Sequence, residues 1–439
     1  MFENIIGQIA ADQLICDISK ASLAPAMLFE GPPSSGKGST ALELARIVSC
    51  EQEPSWNCAC PACARHRLLL HPDLLCIGNR SFSAETAAAA NAYLRERQSA
   101  AARILFIRSV RKLLCRFNPV LWEGESKFSK LGSLVVTIEE ELDELDAAPE
   151  KNIETILKDT FKLESEGMSE SIPIEQIRKA SFWSRLAPAG KKKTLLIENA
   201  DQMKEGARNS LLKLLEEPPE TLIVVLCTTK PNALLQTIRS RLRPYHFAGR
   251  SYETEKEVIR RVFRNDSPDK TPDSGSAISA YIDSFLPVSG GALKALAAFF
   301  AASVSYKAVF LLRKQGIQNL PRHLVDLGKH ASAIAMEAGL EKTRECREAV
   351  GKIMEKTFNF EIRSLYPRFI KCLLGLVTES QKNSASHSVQ VMDFLELWMK
   401  CAAEAESSVM VYNQNPGLAL ERLFINSCRG MARPLCVNS

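Results

Sequence analysis

The chain has 439 residues, of which 46% are hydrophobic and 24% are charged, and its formal net charge is +5. These values are typical of a globular protein with about three domains, and the mild positive charge permits contact with nucleic acid without requiring it. The N-terminus lacks a basic segment followed by an apolar core, and no uninterrupted apolar run approaches ~18 residues. We therefore expect a cytoplasmic protein that neither is exported nor contacts a membrane.

The first predicted elements are a strand, a glycine-bearing loop and a helix. Residues 26–30 form a short apolar run, and residues 40–46 have helical periodicity. The loop between them, GPPSSGK, matches the first seven positions of the phosphate-binding motif G-x-x-x-x-G-K-[ST]. In that motif, backbone N–H groups and a lysine surround phosphate oxygens. The candidate nucleotide-binding residues here are Gly31, Pro32, Ser34, Ser35, Gly36, Lys37, Gly38, Ser39 and Thr40.

The eighth position of the motif normally supplies a hydroxyl group to Mg²⁺, but in this chain it is Gly38. A metal would have to be held by Ser39, Thr40 or water instead. ATP with Mg²⁺ is therefore a possible ligand of a degraded site. The alternative is a glycine turn between strand and helix that binds nothing.

Four of the thirteen cysteines, Cys50, Cys58, Cys60 and Cys63, follow the loop's helix within fourteen residues. Four thiolates can complete a tetrahedral zinc site with no position left for water, so the predicted role of the zinc is structural. His66 and His71 are spare candidate ligands. The alternative is a set of reduced cysteines in a surface loop.

Residues from about 77 to 171 interrupt the alternation of strands and helices and predict a helical insertion. Its first half, residues 95–117, is amphipathic and basic, whereas residues 139–150 hold seven acids and no base. The two halves could pair with each other. The alternative is a solvent-exposed insertion without a separate activity.

Two further apolar runs, residues 194–197 and 221–226, predict strands that are covered on both faces of a parallel sheet. The first run is followed by Glu198 and Asn199. In P-loop ATPases an acidic pair at this place binds Mg²⁺ and polarises the attacking water. Glu198 could still face a metal, but Asn199 cannot accept a proton, and the loss of a general base commonly costs about 10²–10⁴ in rate.

Several segments together resemble the clamp-loader branch of AAA+ proteins, the bacterial DNA polymerase III subunits of the delta-prime and gamma/tau types. They are the opening FENIIGQ, the segment IPIEQIR, and the block LLIENADQM followed by ARNSLLKLLEEPP. Gly38 and Asn199 resemble the delta-prime type, whose nucleotide site is often degraded, more than the motor subunits. Related loaders also carry a zinc knuckle where this chain has its cysteine cluster.

The resemblance implies further site residues. Arg241, in the segment IRSRL, falls where the family carries an arginine that enters the ATP site of the adjacent subunit. A guanidinium there spreads positive charge over the γ-phosphoryl oxygens. Thr229 occupies the sensor-1 region, and Lys294 aligns approximately with the sensor-2 arginine of the motor subunits. The alternative is that Arg241 is a surface arginine paired with a carboxylate.

The sequence thus predicts an α/β AAA+ P-loop domain, with a parallel sheet flanked by helices, over residues 1–245. Its zinc knuckle would span 50–63, with a helical lid following at 246–305 and an all-α collar at 306–439. The resemblance implies a non-motor subunit of the clamp loader. Its partners would be the gamma/tau and delta subunits, the sliding clamp, and primed DNA through backbone contacts. The alternative is a gamma/tau-like ATPase that hydrolyses ATP in its own P-loop.

Overall fold

A computed structural model describes residues 1–126, 128–169, 171–265, 276–286, 288, 290–355, 362–381, 389–410, 412 and 414–432. The chain divides into two compact units, Met1–Leu286 and Pro287–Ser439. The first unit holds the P-loop and the second is helical throughout its described elements.

A five-stranded parallel sheet lies in the first unit. Its strands are β1 (Ala26–Glu30), β2 (Leu74–Ile77), β3 (Lys193–Ile197), β4 (Leu222–Thr228) and β5 (Arg243–His246), in the order β2-β3-β4-β1-β5. Every residue of β1 to β4 is buried, and β3 and β4 correspond to the two apolar runs that predicted strands covered on both faces. The loops after β1 and β3 leave the same edge of the sheet, where parallel α/β folds place their ligands.

Helices cover both faces of this sheet. They are α1 (Ile9–Ser19), α2 (Lys37–Ser49), α3 (Pro61–Arg67), α9 (Ile174–Arg185), α10 (Glu205–Glu216) and α11 (Gln236–Arg239). Because strand side chains alternate between faces, Leu28 packs in the cluster that includes α9 and α10, whereas Phe29 packs in the cluster that includes α1 and α2. The predicted α/β fold is confirmed.

Helices also fill the stretch between β2 and α9. They are α4 (Ser83–Arg95), α5 (Ala100–Leu114), α6 (Pro119–Trp122), α7 (Phe128–Asp143) and α8 (Pro149–Gly167). These helices have a hydrophobic cluster of their own. Three ion pairs join the basic half of the segment to its acidic half: Arg97–Glu150, Arg103–Asp146 and Arg111–Glu139. The hypothesis that the two halves pair with each other is confirmed.

The first unit ends with α12 (Tyr252–Phe263) and α13 (Ala277–Asp283). Both pack against α4 of the inserted segment, where Ala88 and Ala92 contact Phe263. Arg95 adds a hydrogen bond of 2.6 Å from its Nη2 to the carbonyl oxygen of Phe263. The inserted segment thus holds α12 and α13 in place through these contacts.

The second unit contains α14 (Gly290–Lys314), α15 (Arg322–Glu337), α16 (Cys346–Ile353), α17 (Ile362–Gln381), α18 (Val389–Met410) and α19 (Pro416–Met431). Its core is centred on Phe300, whose ring meets Phe369 and Phe424 edge to face at 6.0 and 5.7 Å. The predicted boundary between residues 305 and 306 falls inside α14. The division into three domains stays a prediction.

Within the described residues, α14 is long and apolar enough to cross a membrane by length and composition, although Lys294 and Lys307 interrupt its apolar run. In the most apolar 18-residue window of this helix, 67% of the window is buried inside the protein, as in the core helix of a helical bundle.

Candidate phosphate-binding and metal-binding sites

The phosphate loop between β1 and α2 has the backbone shape that its glycines permit. Gly31 has φ +152°, and a Cβ there would overlap the carbonyl oxygen of Phe247. Gly36 has φ +95° and caps the N-terminus of α2. Both positions require glycine, because a side chain would be strained or would collide with its neighbours.

Lys37 points back into its own loop. Its Nζ donates to the carbonyl oxygens of Gly31 and Pro32, at 2.8 and 2.5 Å, and to Ser35 Oγ at 3.1 Å. Burial lowers the pKa of Lys37 to about 8, because desolvation disfavours the charged ammonium group. The three donors of the ammonium group are thus used inside the loop.

Arg250 and Ser279 lie against the outer side of this loop. Arg250 donates from Nη1 to the carbonyl oxygen of Ser34, and from Nε to that of Ile6 at 3.0 Å. The hydroxyl groups of Ser34 and Ser279 are 2.7 Å apart. The loop is therefore tied to the chain's N-terminus and to α13.

Two predicted metal ligands, Ser39 and Thr40, follow Lys37 on α2. Thr40 is fully buried, and its hydroxyl donates to the carbonyl oxygen of Gly36 at 3.0 Å. Ser39 is exposed at the surface of α2. Their predicted role in holding a metal stays a prediction.

Gly38 lies directly beside the carboxylate of Glu198, which follows β3. A Cβ at position 38 would come within 2.5 Å of Glu198 Oε1. The space that a serine or threonine side chain would need is therefore occupied by the acid. A serine or threonine at position 38 would therefore force the Glu198 carboxylate to shift.

Glu198 is buried and is paired with two arginines of the inserted segment. Arg116 donates from Nη2 to Oε2, and Arg80 Nη1 lies 3.4 Å from Oε1. Burial alone would raise the pKa of Glu198, but the neighbouring cations, Arg116 first, outweigh it, so this pKa is lowered. Because both carboxylate oxygens face guanidinium groups, the residues present do not fit a bound Mg²⁺.

Asn199 has a left-handed backbone with φ +52°, and its Nδ2 donates to Asn79 Oδ1 at 3.1 Å. An amide cannot take a proton from water, so this position supplies no general base. Nearby, Thr228 at the end of β4 donates to Asp201 Oδ1 at 2.6 Å. Thr229, the predicted sensor residue, is exposed.

Arg241 lies on the surface just after α11. Its Nη2 is 2.8 Å from Glu216 Oε1 at the end of α10, and its Nη1 donates to the carbonyl oxygen of Thr237 at 2.8 Å. About a third of its side chain (35%) is exposed. The guanidinium is thus held in place and still reachable from outside.

Lys294 belongs to the second unit, on α14. Its Nζ lies 3.9 Å from Glu379 Oε2 on α17, and both side chains are about half exposed. Its predicted role at the nucleotide stays a prediction.

The four cysteines form a compact cluster. Their sulfur atoms lie within 4.8 Å of one another and all four residues are buried. Cys50 Sγ is 3.6 Å from Cys58 Sγ and 3.9 Å from Cys60 Sγ. A tetrahedral zinc ion with Zn–S bonds of about 2.3 Å separates its sulfurs by about 3.8 Å, so the donor set and its spacing fit this metal.

Local structure explains how the short Cys58-x-Cys60-x₂-Cys63 spacing brings the sulfurs together. Cys60 is the N-cap of α3, and its sulfur accepts from the backbone N–H of Cys63 at 3.5 Å. Arg46, buried in α2, donates from Nη1 to Cys63 Sγ at 3.1 Å. Such donors stabilise thiolate charge. His66 and His71 instead stack on each other, with ring centroids 4.1 Å apart.

Sequence reasoning missed Arg80, Arg116 and Arg250 as residues of the site. Arg116 stands at the end of the basic segment of the insertion, but nothing in its spacing indicated a contact with Glu198. Arg80 and Arg250 lie far from the motif in sequence and reach it only through the fold.

Comparison with known proteins decides the family. Residues 7–128 and 139–251, more than half of the chain, match the sequence model of a family described as DNA polymerase III, delta subunit. The chain belongs to this family. The predicted resemblance to clamp-loader subunits of DNA polymerase III is confirmed at this level, and the matched residues include the P-loop, the cysteine cluster, Glu198 and Arg241.

Individual relatives match over shorter stretches. Over 84 residues the chain is 39% identical to DNA polymerase III subunit delta' of Pseudomonas aeruginosa, covering 19% of this chain and 26% of that relative. Over 56 residues it is 50% identical to subunit delta' of Bacillus subtilis, covering 13% and 17%. Over 70 residues it is 36% identical to subunit gamma/tau of Mycobacterium bovis, covering 16% and 12%. The chain thus spans about a quarter or less of the length of these curated relatives.

A solved DNA polymerase III gamma subunit-related protein from Thermotoga maritima is 20% identical in sequence, with 60% of this chain and 81% of that chain covered. The TM-score is 0.24, so this likeness adds nothing to the fold assignment, which stands on the sheet and helices described above.

Proposed function

We propose that this family member is a non-motor, or stator, subunit of the replicative clamp loader. It would supply Arg241 to the ATP site of a neighbouring motor subunit during ATP-dependent loading of the sliding clamp onto primed DNA. Its partners would be the gamma/tau and delta subunits, acting in the cytoplasm.

The observation that carries this proposal is the state of the chain's own P-loop site. Glu198 is paired with two arginines, Gly38 leaves no hydroxyl for a metal, and Asn199 supplies no general base. A nucleotide could still lie against the loop around Lys37. Hydrolysis there would lack both the metal and the base.

Arg241 supports the second half of the proposal. Its guanidinium is about one-third exposed and is oriented by Glu216 and by the Thr237 carbonyl group. An arginine held in this way can be offered to a γ-phosphoryl group of another subunit with little loss of side-chain entropy. Arginine fingers are worth about 10³–10⁵ in turnover at the site they serve.

The cysteine cluster would have a structural part. Zinc held by Cys50, Cys58, Cys60 and Cys63 would have no open coordination position, so it would fix the loop between α2 and α3 without entering the chemistry. Contact with primed DNA would be to its phosphates through lysine and arginine side chains, and therefore sensitive to salt.

A gamma/tau-like ATPase is the second candidate function, favoured by the intact GPPSSGK segment and by the matches to gamma/tau subunits. Measuring ATP turnover separates the two. We expect negligible turnover for the purified chain alone.

In the reconstituted loader, Arg241→Ala should remove the turnover of the one motor site that it serves. Arg239→Ala, an exposed arginine two residues away that bonds Asn232, is the matched control and should leave turnover unchanged. Vigorous turnover by the chain alone, or a loader indifferent to Arg241→Ala, would overturn the stator proposal.

A further inference from the structure

The inserted segment places its own cations where a P-loop enzyme holds a metal ion. Such enzymes bind Mg²⁺ between an acid at the end of a strand and the hydroxyl that follows the P-loop lysine. In this chain the acid is Glu198 and the hydroxyl position is Gly38. The guanidinium groups of Arg80 and Arg116 contact the two oxygens of that acid.

The Arg116–Glu198 contact is buried, the Arg80 side chain is 37% exposed, and both contacts are supported by a neighbouring aromatic ring. Arg116 is only 4% exposed and Glu198 only 7%. Both guanidinium groups also lie over the ring of Phe82, at 4.9 Å for Arg80 and 5.4 Å for Arg116. A cation held by a carboxylate and by an aromatic face in a buried place is strongly localised.

A second carboxylate of the inserted segment completes the cluster. Glu85, in α4, pairs with Arg80 and with Lys112 of α5. Three cations, Arg80, Lys112 and Arg116, thus face two anions, Glu85 and Glu198. The excess positive charge repels a divalent cation, and Lys37 adds to it because it lies close enough to interact with both Glu198 and Arg80.

The inserted segment is anchored so that this arrangement persists. Arg116 lies in a short 3₁₀ turn, Cys115–Phe117, directly after α5. Its carbonyl oxygen accepts from Trp122 Nε1 at 2.8 Å, and the ring of Trp122 stacks on Phe117 at 5.4 Å. The turn cannot swing away from Glu198 without breaking these contacts.

We propose that Arg80 and Arg116 take the place of the divalent cation at Glu198. As a result, this P-loop binds a metal–nucleotide complex no more tightly than it binds free nucleotide. The inserted segment therefore determines the ligand specificity of the loop. This inference rests on the non-hydrolysing half of the proposed function and is independent of Arg241.

The test compares the affinity of ATP for the full-length chain by isothermal titration calorimetry, once with excess Mg²⁺ and once with EDTA. In the unaltered chain, Mg²⁺ does not strengthen binding. In the double variant Arg80→Gln/Arg116→Gln, which frees Glu198, Mg²⁺ strengthens binding at least about tenfold. Arg97→Gln is the matched control, because Arg97 belongs to the same inserted segment but pairs with the exposed Glu150.

A tenfold benefit of Mg²⁺ in the unaltered chain overturns the inference, as does a folded double variant that gains none. If the double variant does not fold, electron paramagnetic resonance of Mn²⁺ with the unaltered chain and ATP decides. The reference is the spectrum of Mn²⁺ with ATP in buffer alone. An additional signal from protein-bound Mn²⁺ contradicts the inference, and a spectrum without that signal supports it. Because neither measurement involves the neighbouring subunit, a failure here is distinguishable from a failure of the arginine-finger proposal.

Discussion

Arg241 and Glu216 form an ion pair, with Nη2 of the arginine 2.8 Å from Oε1 of the glutamate. The glutamate belongs to the segment LLKLLEEPP, and the arginine follows the next strand and a short helix. Two motifs through which the sequence resembles clamp-loader subunits are therefore in direct contact within one chain. This pair restrains the arginine side chain at the surface.

Replacing Glu216 with glutamine should affect the chain's stability little. The carboxylate is half exposed, and exposed ion pairs contribute about 0–1 kcal/mol. We expect urea unfolding of Glu216→Gln to differ from the parent by less than about 1 kcal/mol. Turnover of the reconstituted loader should fall only a few-fold, far less than with Arg241→Ala. Equal damage by the two substitutions would show that the carboxylate itself has a role at the shared site.

Gly31→Ala should be strongly destabilising. The position has φ +152°, and a Cβ would overlap the backbone carbonyl oxygen of Phe247, which cannot move aside as a flexible side chain could. Backbone strain and overpacking together should cost about 2–5 kcal/mol in the free energy of unfolding, measured by urea denaturation.

Gly351→Ala is the control for this substitution. Gly351 lies within α16, and a Cβ there would meet no atom within 4 Å. Alanine should be neutral there or stabilise by about 0.5–1 kcal/mol, because glycine is a poor helix former. Similar losses at both positions would contradict the account of the loop.

The strands β1, β3 and β4 and the loop after β1 could be predicted from the sequence because their signals are local. An apolar run followed by GPPSSGK fixes a strand, a turn and a helix N-terminus within fifteen residues or so. The cysteine cluster was equally predictable, since its members are close in sequence. The face on which each helix packs could not be predicted, because β1 to β4 are buried on both faces and their apolar runs do not distinguish the two.

The partners of Glu198 could not be predicted, because they are separated from it by 82 and 118 residues along the chain. Arg116 is one of many arginines in a basic amphipathic segment, and only the packing of that segment selects it. The same holds for Arg250, which reaches the P-loop from 216 residues away. Long-range ion pairs depend on topology, which no local pattern specifies.

The cysteine cluster should hold about one zinc ion per chain, as measured by inductively coupled plasma mass spectrometry. Cys63→Ser should reduce the zinc content and increase proteolytic cleavage in residues 50–63, because a structural metal contributes folding free energy to its loop. Cys16→Ser, at an exposed cysteine outside the cluster, is the control and should retain the metal. A parent chain that is purified without zinc and takes up none would refute the assignment.

Glu85 should make the stability of the inserted segment depend on acid. Burial alone would raise its pKa, but Lys112 and Arg80 lower the pKa to about 2 from an ordinary value of 4.5. A carboxylate whose pKa is lower in the folded chain than in the unfolded chain stabilises the fold. This stabilisation is fully present when the pH lies above the pKa of the unfolded chain. That contribution is lost as the pH falls from about 4.5 to about 2, and it is on the order of 3 kcal/mol at most.

Glu85→Gln should therefore be less stable than the parent at pH 7. The difference should shrink steadily below pH 4.5, because the unfolded parent then binds a proton at Glu85 that the folded parent does not. Urea unfolding at pH 7, 4.5 and 3 measures the difference. Glu150→Gln, in an ion pair with Arg97 and 74% exposed, is the control and should show little difference at any of these values. A gap between parent and Glu85→Gln that stays constant down to pH 3 would mean that the cations do not hold this carboxylate in its charged form.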